Sequence, residues 1–158
     1  MSRNNDIKPF VSTPERLTMR EEITQELEHG IRQILHEIPP GQIWEWDDRF
    51  DVPLIAFPRE VEGEIDSMVK RYFPYQWGYQ AIKTAPPVIR KLLDKTFGMQ
   101  PDQRVLAADI TKEVFLLGLW WPWNDNMNIS LRITLTGKQI VRFDLEKVGE
   151  SLRRWFNL

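Results

Sequence analysis

The run Val114-Phe115-Leu116-Leu117-Gly118-Leu119-Trp120-Trp121-Pro122-Trp123 constrains the fold more than any other stretch of this chain. Side chains of a strand alternate between its two faces. Read as a strand, Val114–Trp121 puts Val114, Leu116 and Trp120 on one face and Phe115, Leu117, Leu119 and Trp121 on the other. Neither face is polar. A strand with one wet face would alternate, so this one is expected at the centre of a sheet covered on both sides, with helices as the cover.

Helical periodicity supplies that cover. A capping-box spacing at Thr18…Glu21 precedes Ile23, Leu27, Ile31, Ile34, Leu35 and Ile38, which recur at intervals of three and four until Pro39-Pro40-Gly41 ends the pattern. Gly30 interrupts this helix at a cost of about 1 kcal/mol relative to alanine, a sign of close packing against the sheet. A second helix follows Pro58, with Val61, Ile65, Met68, Val69 and Tyr72 on one face. A third opens at Pro86-Pro87 and closes at Gly98, a C′ glycine. A fourth spans Lys147 to Phe156, and Met1 to Ser12 reads as a flexible arm ahead of a single domain over 13–158.

The remaining strands are expected at about 104–110, 113–121, 128–136 and 139–145, a mainly antiparallel meander in the C-terminal half. Asn128 to Thr136 alternates without exception, and a return strand through Val141, Phe143 and Leu145 would complete a hairpin with one buried and one wet face. A three-residue loop matches the apolar sets and sets Arg132 opposite either Arg142 or Asp144. Val52 to Phe57 is a short apolar run in which Pro53 demands an edge strand or a strand's first residues. Phe73 to Tyr79 reads as an aromatic connection and Tyr79 to Lys83 as a short strand. The fold class is therefore α+β, one domain with about four helices packed on the meander.

Chemistry is harder to read. The chain has 158 residues, no cysteine and a net charge of −2. No disulfide, thiol nucleophile or sulfur-ligated zinc can form. Duplex nucleic acid usually needs a basic excess, so nucleic acid is a disfavoured partner. Neither a signal-peptide core nor a spanning segment is seen, and the expected setting is cytoplasmic. Glycine-rich phosphate loops, nucleophile elbows and paired zinc histidines are missing. His29 and His36 lie about 10 Å apart along one helix, too far for one metal, and read as solvent-facing. The acid-rich stretch from Trp44 to Asp51 lacks a calcium-loop pattern. Asp109 reads as a turn residue bonding its own backbone.

What remains is a set of aromatic and arginine candidates. Trp77 and Tyr75 sit in the connection, and Trp123 follows Pro122 at the sheet's rim. Tryptophan and tyrosine dominate binding hot spots. Arg132 and Arg142, held together, could clamp an anion. The expected role is that of a non-enzymatic protein-binding, adaptor or regulatory domain. Its partner sites would be Trp77, Trp123, Tyr75, Arg132 and Arg142. The partner is another protein, or a second copy in a homodimer. No catalytic residue, metal ligand or cofactor is assigned. Two other readings are carried: a hydrolase-type enzyme whose Asp47, Asp48 and Asp109 converge into an acidic site, and single-stranded nucleic-acid binding.

Overall fold

The structure, a computed structural model, describes residues 21–138 and 144–158. The elements are α1 (Glu21–Glu37), β1 (Trp44–Asp47), β2 (Val52–Pro58), α2 (Glu62–Tyr72), β3 (Tyr75–Gly78), α3 (Pro87–Leu92), β4 (Arg104–Ala107), β5 (Phe115–Pro122), β6 (Asn128–Thr136) and α4 (Asp144–Phe156). One antiparallel sheet of six strands runs in the order β1-β2-β6-β5-β4-β3. The fold is α+β in one domain, with strands β4, β5 and β6 forming a meander.

The two parities of β5 divide the core as alternation requires. Val114, Leu116 and Trp120 join a cluster with Leu27, Ile31 and Ile34 of α1, Ile65, Met68 and Val69 of α2, and Val148, Leu152 and Trp155 of α4. Phe115, Leu117 and Leu119 join a second cluster with Ile89 of α3 and Leu93, with Trp121 packed on its border. Three helices thus cover one face, and the short α3 covers part of the other. After α3 the chain widens into a single π turn, Leu93–Phe97, closed where the Gly98 N–H reaches the Leu93 carbonyl at 2.7 Å. Gly98 has φ 69°, the positive φ expected of a C′ glycine.

Several expectations are corrected. Asp144 and Leu145 belong to α4, not to a return strand. Arg132 is flanked by Leu119 of β5 and Leu54 of β2 rather than by Arg142 or Asp144. Strand β2, far away in sequence, takes the flank that a local hairpin would have filled. For that reason the polar side of β6 is not wet: Ser130, Thr134 and Thr136 are all buried. Strand β3 falls on Tyr75–Gly78, inside the expected connection, because those residues find a partner in β4, and 81–84 form a 3₁₀ turn instead of a strand. Of the two placements expected for Pro53, the edge strand is excluded, because β2 is internal, and the start of a strand is the one found. Pro53 is the second residue of β2, and the ladder to β6 begins only at Leu54, so no bond on that side needs its missing N–H. The arm at 1–12, the capping box at Thr18, the strand segment 139–143 and Arg142 lie outside the described residues.

Candidate functional site at the sheet rim

The second face of the sheet changes character from one edge to the other. Over β3, β4 and β5 it is apolar and covered by α3. Over β6, β2 and β1 the same face carries Arg132, and neutralising that residue requires help from distant chain. Asp47, at the end of β1, provides it: Arg132 Nε donates to Asp47 Oδ2 at 2.7 Å, and the two side chains are only 14% and 10% exposed. Arg132 Nη1 donates to Ser130 Oγ at 2.8 Å. The guanidinium also lies 4.2 Å from the centroid of Trp121, a cation–π contact of the kind arginine favours.

Trp121 is held in turn by two rings. Phe50, from the β1–β2 turn, meets it edge-on at 5.6 Å, and Phe97, from the π turn, lies 6.2 Å away. Phe50 and Phe97 close the triangle at 5.0 Å. Each ring comes from a different segment, so the cluster fixes Arg132 against three parts of the chain at once.

A cleft of about 510 Å³ opens beside this group. Its floor is Ser130, Arg132 and Trp121. One wall is the Gln100–Gln103 turn, and the other is Pro122, Trp123 and Asn124. The second wall is braced. Asp125 Oδ1 accepts the N–H groups of Met127 and Asn128 at 2.8 and 3.1 Å, and the Asn128 side-chain amide donates to Asp125 Oδ2 at 2.9 Å. These bonds, led by that from Met127, hold the Asp125 carboxyl below its usual range. Arg59 adds two more, from its backbone N–H to the Met127 carbonyl and from Nε to the Asn126 carbonyl. On this braced turn Trp123 is 43% exposed and Met127 67% exposed.

Trp123 and Arg132, both singled out from sequence, therefore line one cleft. Tyr75 and Trp77 do not. Their rings stack at 6.3 Å on edge strand β3, with Tyr75 exposed over a half-buried Trp77 that packs on the second core. Met127 and the Arg132–Asp47 pair escaped sequence reasoning. The exposed Met127 breaks no pattern, and partners 85 residues apart leave no local signal.

The acidic candidates are dispersed. Asp47 is committed to Arg132, Asp48 is almost fully exposed beside Arg153, and Asp109 caps its own turn by accepting from Thr111 Oγ1 and Thr111 N–H at 2.6 and 3.0 Å. The Thr111 hydroxyl, then the Thr111 N–H, hold the Asp109 carboxyl below its ordinary range. Asp109 instead borders a smaller apolar cavity beside α1, under the Glu26–Lys112 pair. Among the described residues no three potential metal ligands gather, and no helix is long and apolar enough to cross a membrane. His29 and His36 are both exposed. Comparison with protein-family models, curated proteins and solved structures returned no match to this chain.

Proposed function

We propose that this chain is a protein-binding module that receives a segment of another protein in the cleft between the Gln100–Gln103 turn and the β5–β6 turn. One observation carries the reading: Trp123 and Met127 stand exposed on a turn that seven hydrogen bonds hold in shape. Beyond the five already described, the Trp123 N–H donates to the Asn128 carbonyl at 2.9 Å and the Asn126 N–H to the Trp123 carbonyl at 3.2 Å. An exposed indole and thioether on a preorganised lip lose little conformational entropy when a partner covers them, which is where affinity is gained. Loose loops would forfeit that advantage.

The test is a paired substitution. Trp123→Ala with Met127→Ala is expected to lower partner capture at least tenfold while leaving thermal unfolding nearly unchanged, since exposed side chains shift stability by only about 0.5 kcal/mol. Tyr79→Ala, also exposed but bordering a different cleft, serves as the control. Capture unaffected by the double substitution would overturn the reading.

A further inference from the structure

We infer that the segment taken by this cleft is an extended, proline-containing stretch with a basic residue at its flank; the inference rests on the rim reading above. Charge comes first. The Arg132 guanidinium is already compensated by Asp47 at 2.7 Å, while Asp102 on the wall has no ion-pair partner among the described residues. An incoming carboxylate or phosphate therefore meets no net positive charge, whereas a lysine or arginine finds Asp102 open.

Hydrogen-bond capacity narrows the ligand further. Gln103 Oε1 is occupied by the Gln100 N–H at 2.7 Å, which leaves the Gln103 amide NH₂ to donate. Arg132 uses Nε and Nη1 internally and keeps Nη2 without a partner among the described residues. Asn124 and Gln100 contribute further amides. Arg132 on the floor and Gln103 on the wall thus hold spare donors that ask for carbonyl acceptors, while the Asn124 and Gln100 amides can donate or accept. A ligand strand cannot add to β6 there, because Ser130 is already paired with Trp121 and Ala56, and Arg132 with Leu119 and Leu54. The ligand must therefore offer its carbonyls without needing a sheet edge for its N–H groups. A polyproline II segment does so, since its backbone makes no internal hydrogen bonds and each proline lacks the N–H altogether. Its prolyl rings would lie against Trp121, Trp123, Pro101 and Pro122, the aromatic-lined setting such segments use.

The experiment titrates the full chain with four synthetic peptides of equal length: proline-rich with an arginine flank, proline-rich with a neutral flank, acidic, and a glycine-serine control. Binding is read from the indole N–H resonances of Trp121 and Trp123. Only the two proline-rich peptides are expected to shift them. The arginine flank should tighten binding several-fold, an advantage that Asp102→Asn removes while the neutral-flank affinity stays put. Trp123→Ala should weaken both at least tenfold. An acidic peptide binding equally well would overturn the proline assignment and leave the rim reading standing. So would a lack of response to every peptide at millimolar concentration in a chain whose partner capture still depends on Trp123 and Met127. Trp123-dependent self-association without any peptide response would make a second copy the occupant and likewise overturn it. If Trp123 and Met127 matter to no association at all, the rim reading itself has failed.

Discussion

Among single residues, the Arg132–Asp47 pair has the sharpest consequences. Both side chains are nearly removed from water, and truncating one member of such a pair leaves the other charge without compensation. Asp47→Ala or Arg132→Ala is expected to cost about 3 kcal/mol, whereas Asp47→Leu with Arg132→Met should cost less than either. Chemical denaturation of the three variants checks the order. Two glycines pull in opposite directions. A Cβ on Gly137 would sit 1.9 Å from the Glu113 carbonyl oxygen, a backbone atom that cannot move aside cheaply, so Gly137→Ala should destabilise by about 3 kcal/mol or more. A Cβ on Gly30 would meet only the Leu116 side chain at an ordinary 3.6 Å. Gly30 thus faces β5 but with room for a methyl group, so glycine is not required there, and Gly30→Ala should stabilise α1 by up to about 1 kcal/mol. Thermal melts of both variants would show shifts of opposite sign.

Elements differ in how openly they can be read from their own residues. Strand β5 is legible because both of its parities are apolar, and its faces pack as that pattern demands. Helix α2 is legible because Ile65, Met68 and Val69 recur at helical spacing and are buried. Strand β3 is not, since four residues between Pro74 and Tyr79 carry too little periodicity, and only pairing with β4 makes them a strand. The β5–β6 turn lies between these cases. Its Asn124-Asp125-Asn126 chemistry announces a turn, but not that Asp125 would brace the lip of a cleft. The Asp125 carboxyl is held below its unfolded range, so its contribution is present above the ordinary aspartate range and disappears as pH falls through the lowered value. In an acid titration followed by NMR, the Met127 and Asn128 amides should move together in that window. Asp125→Ala should abolish the transition and weaken partner capture at neutral pH.

For the whole molecule, the two-sided sheet explains why the site sits where it does. Helices α1, α2 and α4 bury one face, and α3 is too short to cover the other, leaving the end over β6 to be finished by Phe50, Phe97 and Trp121. The cleft begins where that cover stops. Trp155, at the heart of the larger core, is fully buried, and Trp155→Ala should cost about 3–5 kcal/mol. A loss well below 1 kcal/mol in equilibrium unfolding would mean that α4 does not pack as described.

The placement of β2 between β1 and β6 also bears on how the protein is made. During synthesis Leu54 must wait for Arg132, roughly 80 residues later, which at about 5–20 residues per second is several seconds on the ribosome. Through that interval Val52 to Phe57 can pair with β1 but not with β6, its other neighbour in the finished sheet. A nascent chain carrying a sticky, half-matched hairpin is a natural client for holding chaperones, and slowing translation between those two codons would lengthen its exposure.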